Sequence, residues 1–222
     1  MNGTNLTTTT EERDLGVLVD DKLKFDKHIK KIVNKANSIL GLIKIGFACL
    51  DKKMFMNLYP VLVRPHLEYC VQVWSPYLAK DINLLEAVQE RATKMVPGLK
   101  GLKYSERLKR LNLTTLRERR IRGDMIETYK LISGKEDINP NKFFEVREIR
   151  GDPELARGRI IFKDRARLDP RKNTFSNRVV NYWNGHLEGN EVWAVKTGDF
   201  KREFDKNEAG RRAARAADVY AY

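Results

Sequence analysis

The sequence predicts a mainly α-helical protein with one short β-strand near its amino terminus and a smaller, irregular α-helical region at its carboxyl end. Apolar residues recur at steps of three and four along most of residues 26–132, which is the spacing of the buried face of an amphipathic helix. A short run of β-branched and apolar residues lies at residues 12–19. With 222 residues, 41% of them hydrophobic, the chain is long enough to close a substantial core.

The strand is predicted over residues 12–19, and Asp20-Asp21 follows it as a turn. A single strand needs partners for its backbone groups, and the sequence offers no second strand, so we expect an exposed edge. Asp26 is the expected N-cap of the first helix, and Gly46 is the residue expected to stop it. The apolar residues of its inward face are Ile29, Ile32, Val33, Ala36, Ile39, Leu40 and Ile43.

Four further helical segments are predicted before residue 133. Pro60 and Pro65 are expected to bend or divide the first of them, because proline lacks the backbone donor that a helix interior needs. Pro97-Gly98 is expected to end the second. The predicted segments are residues 51–62, Asp81–Val96, Tyr104–Leu111 and Thr115–Ile132.

The chain changes character after residue 132. Glycine, asparagine and proline residues within 133–140 predict a break, so we place a boundary between residues 135 and 136. Residues 141–169 show no regular pattern, and the predicted helices beyond them cover residues 174–183 and the pair Phe200 and Phe204.

Positive charge is concentrated in two short stretches of the chain. The formal net charge is +13, from 43 basic and 30 acidic residues. Residues 91–130 hold 12 basic and 4 acidic residues, and residues 157–178 hold 8 and 2. A surface that binds a polyanion concentrates charge in this way, whereas a surface adjusted for solubility spreads it. We therefore interpret the two stretches as a nucleic-acid site, with a solvated charged helix face as the alternative.

Twelve basic side chains are the candidates for contact with nucleic acid. Guanidinium groups can pair with phosphate through two parallel hydrogen bonds, and binding of this kind tolerates any base sequence. Phe162 and Phe175 lie among the second group of cations and could stack on bases or pack in the core. The candidates are Lys94, Lys100, Lys103, Arg107, Arg117, Arg119, Arg120, Arg122, Arg165, Arg167, Arg171 and Lys172.

Composition also excludes several classes of protein. No apolar run approaches the ~20 residues that a membrane-spanning helix needs, and Met1–Thr10 has no secretory signal. Two cysteines are too few for a disulfide scaffold or a four-thiolate zinc site. We expect an intracellular protein of the cytoplasm or nucleus, with no membrane partner and no small-molecule substrate.

The side chains that could carry catalysis are better interpreted as structural. Asp20-Asp21 could hold a divalent metal, but a third carboxylate on a neighbouring strand is missing, so we interpret the pair as a turn. His66 and Cys70 lie four residues apart in an apolar stretch, where a thiol is ordinary packing. Gly41 and Gly46 have the wrong spacing for a phosphate loop. We expect no catalytic residue, no metal and no cofactor on this chain.

Residues along most of the chain resemble the carboxyl-terminal part of a reverse transcriptase from a LINE-type, non-LTR retrotransposon of the chicken-repeat and jockey kind. Order and spacing agree from about residue 1 to residue 205. The similar stretches are Glu12–Asp20, Lys35–Gly41, Leu62–Cys70, Leu85–Met95, Tyr104–Leu108, Arg119–Asp124 and Arg171–Phe175, with Trp74, Val179, Trp183-Asn184 and Phe200-Lys201. Residues 185–198 depart from the family pattern, and residues after 206 have no counterpart in it.

The resemblance implies a truncated RNA-directed DNA polymerase that cannot polymerise alone. The family's catalytic aspartates, which bind Mg²⁺, lie in a palm domain upstream of the strand at residues 12–19. The resemblance implies that residues 1–22 are the end of the palm, 23–135 a helical thumb, 136–205 a basic carboxyl-terminal region and 206–222 a tail. The thumb of such a polymerase grips a template–primer, so RNA and RNA–DNA duplexes are the implied ligands.

A protein–protein interaction module without a role in nucleic-acid binding is the alternative function. The strand at residues 12–19 would lack the sheet that it pairs with in a polymerase, and its exposed edge would then favour self-association. A salt titration of RNA binding distinguishes the two, because only contacts to phosphate weaken steeply with salt.

Overall fold

The computed structural model describes residues 8–47, 49–148, 159–187 and 196–219, and the protein is mainly α-helical, as the sequence predicts. The structure is 63% helix and 7% strand, and the strands form two small antiparallel sheets. The helices are α1 (Asp26–Gly46), α2 (Lys52–Leu58), α3 (Arg64–Glu68), α4 (Val71–Trp74), α5 (Ala79–Thr93), α6 (Tyr104–Leu111), α7 (Leu116–Ile132), α8 (Asp169–Lys172), α9 (Phe175–Arg178), α10 (Val180–Leu187) and α11 (Thr197–Val219). The strands are β1 (Glu11–Asp14), β2 (Val17–Asp20), β3 (Glu145–Glu148) and β4 (Arg159–Phe162).

The chain divides into two compact units, Met1–Arg120 (unit 1) and Ile121–Tyr222 (unit 2). The division lies inside α7, earlier than the boundary that the sequence suggested between residues 135 and 136. Leu116 belongs to the core of unit 1, whereas Met125, Tyr129 and Ile132 belong to the core of unit 2. An apolar stripe that continues along one helix does not tell which core each part of it enters.

Residues 11–20 form a β-hairpin, so the prediction of one strand without a partner is wrong. β1 pairs with β2 in antiparallel register, with Glu11 opposite Asp20. The turn residues Leu15 and Gly16 both have positive φ, +43° and +89°. Two-residue turns of this kind favour Asn or Gly at both positions. Because the first position here is leucine, the residue types do not indicate a hairpin turn. The strand therefore has a partner within its own chain, and self-association through an outer edge of the hairpin stays a prediction.

Helix α1 has the bounds that the sequence predicts, and its buried face includes Ile29, Val33, Ala36, Leu40 and Ile43. Its N-cap is Phe25 in a left-handed conformation, φ +56°, and not Asp26. Phe25 is held there by the preceding turn, since its backbone N–H donates to the Asp20 carboxylate at 3.0 Å.

The Asp20 carboxylate accepts further backbone hydrogen bonds from Lys22 and Lys24, at 2.9 and 3.3 Å. Partial burial opposes ionisation of this carboxyl, but the three backbone donors outweigh it and lower the pKa of Asp20. The interpretation of Asp20 as a turn residue is therefore confirmed, because the side chain closes the connection between β2 and α1.

Pro60 and Pro65 divide the second helical segment, as predicted. Between α2 and α3, residues Tyr59–Val63 form a single π-helical turn, in which the Arg64 N–H donates to the Tyr59 carbonyl. Proline provides no backbone donor at position 60 or 65, which explains why the regular ladder breaks there. The wider turn keeps Tyr59 and Val63 buried.

His28 connects three elements of unit 1. Its ring is buried, lies 5.3 Å from the ring of Trp74, and accepts a hydrogen bond at Nδ1 from the Leu18 N–H at 3.2 Å. Burial lowers the pKa of His28, and the charge of Lys31 lowers it further. Protonation of Nδ1 would remove the acceptor that joins β2 to α1.

We expect unit 1 to lose stability as the pH falls below about 6.5, the ordinary pKa of histidine. The unfolded chain binds the proton first because the pKa of folded His28 is lowered, so stability is complete above the unfolded pKa and is lost as the pH falls towards the folded one. Urea denaturation of the wild type and of His28→Gln, which keeps an acceptor but does not titrate, measures this. Equal pH dependence of the two proteins between pH 7.5 and 5.5 would contradict it.

The core of unit 2 is built from aromatic residues on α7, α10 and α11. Tyr129 stacks on Phe200 with ring centroids 4.3 Å apart, and Trp183 lies 6.3 Å from Phe200. Phe204 is buried beside them, which confirms the helix predicted from Phe200 and Phe204. Helix α11 also continues through residues 206–219, where the resemblance gave only a tail.

Residues 141–169 are not irregular throughout, contrary to the prediction. Strands β3 and β4 form a second antiparallel hairpin, in which Val146 lies opposite Ile161. Ile161 is buried, and the Asn184 side chain brackets its backbone: the Ile161 N–H donates to Oδ1 at 3.1 Å, and Nδ2 donates to the Ile161 carbonyl at 2.9 Å. Four-residue strands are too short for their alternation to be visible in the sequence.

Candidate nucleic-acid interface

Eight of the twelve predicted cations lie on the surface and four do not. Exposure is the first requirement for contact with a phosphate, so this separates the candidates. The exposed side chains are Lys94, Lys100, Lys103 and Arg117 in unit 1 and Arg165, Arg167, Arg171 and Lys172 in unit 2. The buried or half-buried ones are Arg107, Arg119, Arg120 and Arg122.

Arg107 is a structural residue, and its assignment to phosphate contact is wrong. Its side chain is only 2% exposed. Nη1 donates to the Leu102 carbonyl at 2.7 Å and Nε to Thr93 Oγ1 at 3.0 Å, while Glu90 Oε1 lies 3.4 Å from Nη2. The guanidinium joins the end of α5 to the segment before α6. It has no surface left to offer to a ligand.

Arg119 is also engaged inside unit 1, and Arg120 is buried. Arg119 forms a two-bond ion pair with Glu68, with Nη2 3.0 Å from Oε2 and Nε on Oε1. Arg64 Nε lies 3.8 Å from the same carboxylate. The Arg120 side chain is buried. The ion pair of Arg119 and the burial of Arg120 therefore give both side chains a structural role, contrary to the prediction that they contact nucleic acid.

Arg122 pairs with Asp205 within unit 2, at 2.6 Å from Nε to Oδ1 and 2.9 Å from Nη2 to Oδ2. Of the four arginines between residues 117 and 122, only Arg117 is exposed. The arginine-rich start of α7, which the sequence made the centre of the site, is therefore mostly used for ion pairs within each unit.

Sequence reasoning also missed the ion pair between Asp124 and Arg178. Arg178 Nε and Nη2 donate to the two carboxylate oxygens of Asp124 at 2.8 and 3.0 Å, and both side chains are largely buried. Arg178 also lies over the ring of Phe175, 5.7 Å from its centroid. In the structure every fourth residue of α7 from Leu116 onwards is buried, and Arg120 and Asp124 lie in that row.

Three of the exposed candidate cations of unit 1 lie between the end of α5 and the first turn of α7. Lys100 and Lys103 lie between α5 and α6, and Arg117 lies in the first turn of α7. Within the residues that the structure describes, none of these three side chains has a carboxylate partner, whereas Lys94 pairs with Glu90 at 3.2 Å.

A buried polar network fixes the helices that carry those cations. Tyr59 donates to Gln89 at 2.8 Å, and Gln89 Nε2 donates to the Tyr104 hydroxyl and to the Thr114 carbonyl, each at 2.9 Å. The Tyr104 hydroxyl donates to Glu86, whose carboxylate also accepts the Leu116 N–H at 3.1 Å. Burial raises the pKa of Tyr104, and its bond to Glu86 raises it further, so the Tyr104 hydroxyl stays protonated at neutral pH.

In unit 2 the exposed candidate cations lie on one continuous stretch, residues 163–172, which we call the basic segment. It connects β4 to α8 and includes that helix. Lys163, Arg165, Arg167, Arg171 and Lys172 are all exposed, and its acidic residues are Asp164 and Asp169. Lys172 pairs with Asp169 at 2.9 Å. Among described residues, the guanidinium groups of Arg165, Arg167 and Arg171 meet no carboxylate.

The two phenylalanines of this region have different environments. Phe175 packs on the core of unit 2, with its ring 5.7 Å from that of Phe144. Phe162, at the end of β4, is 46% exposed. Of the two uses that the sequence left open, Phe175 follows core packing.

The residues considered for catalysis are placed as packing residues. Cys70 is half-buried and packs against the core of unit 1, which confirms its interpretation. Across the described residues, no group of three His, Cys, Asp or Glu side chains is close enough together to hold a metal ion. In the same part of the chain, no helix is long and apolar enough to cross a membrane.

Comparison with known proteins gives limited information. No protein-family model matches the chain, and no solved structure matches it. A stretch of 125 residues, 55% of the chain, is 28% identical to an uncharacterized protein from Caenorhabditis elegans. The match covers 63% of that relative, so the chain spans less than two thirds of its length.

Proposed function

We propose that the chain binds RNA or an RNA–DNA duplex through its exposed cations, and that it is the thumb and carboxyl-terminal part of a non-LTR retrotransposon reverse transcriptase, unable to polymerise alone. The resemblance of its motifs supports the family, since they run in order along most of the chain. The contacts proposed here are made by the exposed cations only, without Arg107, Arg119, Arg120 and Arg122.

The observation that carries this proposal is the basic segment. It has five exposed cations and two carboxylates within ten residues, and three of its arginines have no carboxylate partner among described residues. The guanidinium groups of Arg165, Arg167 and Arg171 carry the same charge and repel one another, and a bound phosphate backbone would offset this repulsion. Such contacts position a strand without reading its sequence.

Charge reversal in the basic segment tests the proposal. We expect Arg165→Glu/Arg167→Glu/Arg171→Glu to weaken binding of a fluorescein-labelled 20-nucleotide RNA and of the matching RNA–DNA duplex at least tenfold. Each phosphate contact contributes about 0.9 to the slope of log K against log salt for duplex and about 0.7 for a single strand, so the slope falls by about 2 to 3. Fluorescence anisotropy between 50 and 300 mM salt measures both quantities.

The matched control reverses the same number of charges elsewhere. Lys31, Lys35 and Lys44 are exposed on α1, so Lys31→Glu/Lys35→Glu/Lys44→Glu gives the same net charge. We expect this variant to keep most of the affinity and the full salt slope. Equal losses in the two variants, or binding by the wild type that does not respond to salt, would refute a site at the basic segment.

A protein-interaction module is the second candidate function, and one observation favours it. Leu42 and Ile45, near the end of α1, are 69% and 85% exposed. Apolar side chains so close together on a surface are typical of contact sites for other proteins. If the wild type shows no salt-dependent affinity for nucleic acid, this becomes the better account of the chain.

A further inference from the structure

We propose that the outer face of α1 binds an acidic amphipathic helix of another protein. The contact is made by a row of five residues, which we call the outer stripe: Lys31, Lys35, Ser38, Leu42 and Ile45. The inference goes beyond nucleic-acid binding and does not rest on it, because no residue of the outer stripe belongs to the basic segment. It gives the exposed pair Leu42 and Ile45 a partner of defined chemistry.

The spacing of the outer stripe is that of a helix–helix contact. Its residues follow one another at steps of four, three, four and three, so they share one face of α1, and all five are exposed. A mean step of 3.5 residues is the repeat on which two helices pack side by side. At 1.5 Å per residue the stripe is about 21 Å long, which is about four turns of a second helix.

The chemistry of the outer stripe changes along the helix axis. Lys31 and Lys35 provide cations at one end, whereas Leu42 and Ile45 at the other end are 69% and 85% exposed. A helix that lies on a membrane surface separates its charged and apolar residues around its circumference, not along its length. The outer stripe therefore matches a helix whose own residues change from acidic to apolar along one face.

The charges on α1 indicate that this helix is acidic. Residues 27–50 contain five lysines and no aspartate or glutamate. Lys27 pairs with Glu11, and Lys30 Nζ lies 3.5 Å from the Asp26 carboxylate. Over the part of the chain that the structure describes, Lys31 and Lys35 form no ion pair with a carboxylate. Carboxylates of a partner opposite these two ammonium groups give complementary charge, which selects the partner and fixes its register.

The middle of the outer stripe allows a second helix to approach closely. Ser38 is small, and its Oγ donates to the Asn34 carbonyl of its own helix at 3.0 Å. A Cβ added to Gly41, one residue before Leu42, would meet no atom within 4 Å outside the backbone of α1. Helix axes approach to a distance that the side chains at the contact set, so these two positions bring Leu42 and Ile45 within reach of a partner's apolar residues.

Designed peptides test the inference. Each peptide has about 18 residues, enough for about four turns, on an alanine background that favours helix. Two leucines three residues apart lie two turns from two glutamates four residues apart, and the order is made in both chain directions. The comparison peptides carry lysine in place of glutamate. We expect the wild type to bind an acidic peptide with a Kd below about 1 mM, and at least fivefold more tightly than its lysine counterpart.

Variants of the outer stripe assign the binding to α1. We expect Lys31→Glu/Lys35→Glu to weaken binding of the acidic peptide at least fivefold and to bind the lysine peptide more tightly than the wild type does. Leu42→Ala/Ile45→Ala should also weaken the acidic peptide at least fivefold. Fluorescence anisotropy of labelled peptides measures the affinities, and circular dichroism of each variant reports whether the fold is retained.

Two matched controls lie on other elements of unit 1. Lys109→Glu/Arg110→Glu reverses two exposed cations on α6, and Val61→Ala shortens an apolar side chain that is 68% exposed. We expect both to bind the acidic peptide as the wild type does. Equal losses in a control, no binding of an acidic peptide at about 1 mM, or an unchanged preference in Lys31→Glu/Lys35→Glu would overturn the inference.

The same variants distinguish the other possible occupants of the outer stripe. Suppose that the wild type binds no acidic peptide but sediments with phosphatidylserine vesicles, or forms a dimer in gel filtration, and that Leu42→Ala/Ile45→Ala abolishes this. The stripe would then belong to lipid or to a second copy of the chain, and the inference would be wrong. The salt dependence of RNA binding is measured on separate samples, so its loss would overturn the proposed function and leave the peptide result standing.

Discussion

Replacing Asp124 with alanine is expected to lower the free energy of unfolding of unit 2 by about 3–5 kcal/mol, the usual cost of removing one partner from a buried ion pair. Asp124 and Arg178 have side chains that are only 7% and 16% exposed, and they share two hydrogen bonds. Without the carboxylate, the Arg178 guanidinium remains largely buried and loses the charge that Asp124 supplies. Urea denaturation followed by tryptophan fluorescence measures the loss.

Two further variants separate this cause from a general effect of removing charge. Asp205→Ala removes the partner of Arg122, but the Asp205 side chain is 51% exposed, so we expect a loss of about 1 kcal/mol or less. In Asp124→Ala/Arg178→Met the guanidinium that lost the Asp124 carboxylate is also removed, and we expect part of the stability to return. A double variant no more stable than Asp124→Ala alone would contradict this explanation.

Arg107→Ala is expected to lower the free energy of unfolding of unit 1 by about 3 kcal/mol, since buried acceptors lose their donors and a cavity remains. The Leu102 carbonyl and the Thr93 hydroxyl each lose a hydrogen bond that the guanidinium now provides. The ion pair with Glu90 contributes little, because that carboxylate is largely exposed to water.

The same variant distinguishes a structural residue from a binding residue. At a temperature where Arg107→Ala remains folded, we expect it to bind RNA with the salt slope of the wild type. Lys103→Ala, which removes an exposed cation nearby, should leave stability unchanged and reduce the slope by up to about one. Thermal denaturation and anisotropy on the same samples test both statements, and a reduced salt slope for folded Arg107→Ala would return that residue to the interface.

Helices of this chain could be predicted wherever an apolar stripe repeats over several turns. Helix α1 has the predicted bounds, and the two prolines divide the second segment as expected. The first hairpin could not be predicted, because Leu15 takes a left-handed conformation that its residue type disfavours. The second was missed because its four-residue strands are separated by ten residues in the sequence.

For the candidate site, the residue types could be predicted from the sequence, but their partners could not. Glu68 and Arg119 are 51 residues apart and Asp124 and Arg178 are 54 apart, and no local pattern announces such pairs. Arg107 is different, because it lies on the same helix face as Tyr104, Leu108 and Leu111, and that position alone indicates burial. The number of cations in each stretch indicates where the charge is concentrated. The position of each cation on its helix face indicates whether that side chain is buried or exposed.

The course of α7 has a practical consequence for dissecting the protein. Its amino-terminal turn supplies Leu116 to one core, and Met125, Tyr129 and Ile132 supply the other. A gene cut between residues 120 and 121 would divide α7. Each recombinant half would then carry a broken helix and newly exposed hydrophobic side chains. Halves intended for separate expression must therefore overlap, with residues 116–132 encoded in both.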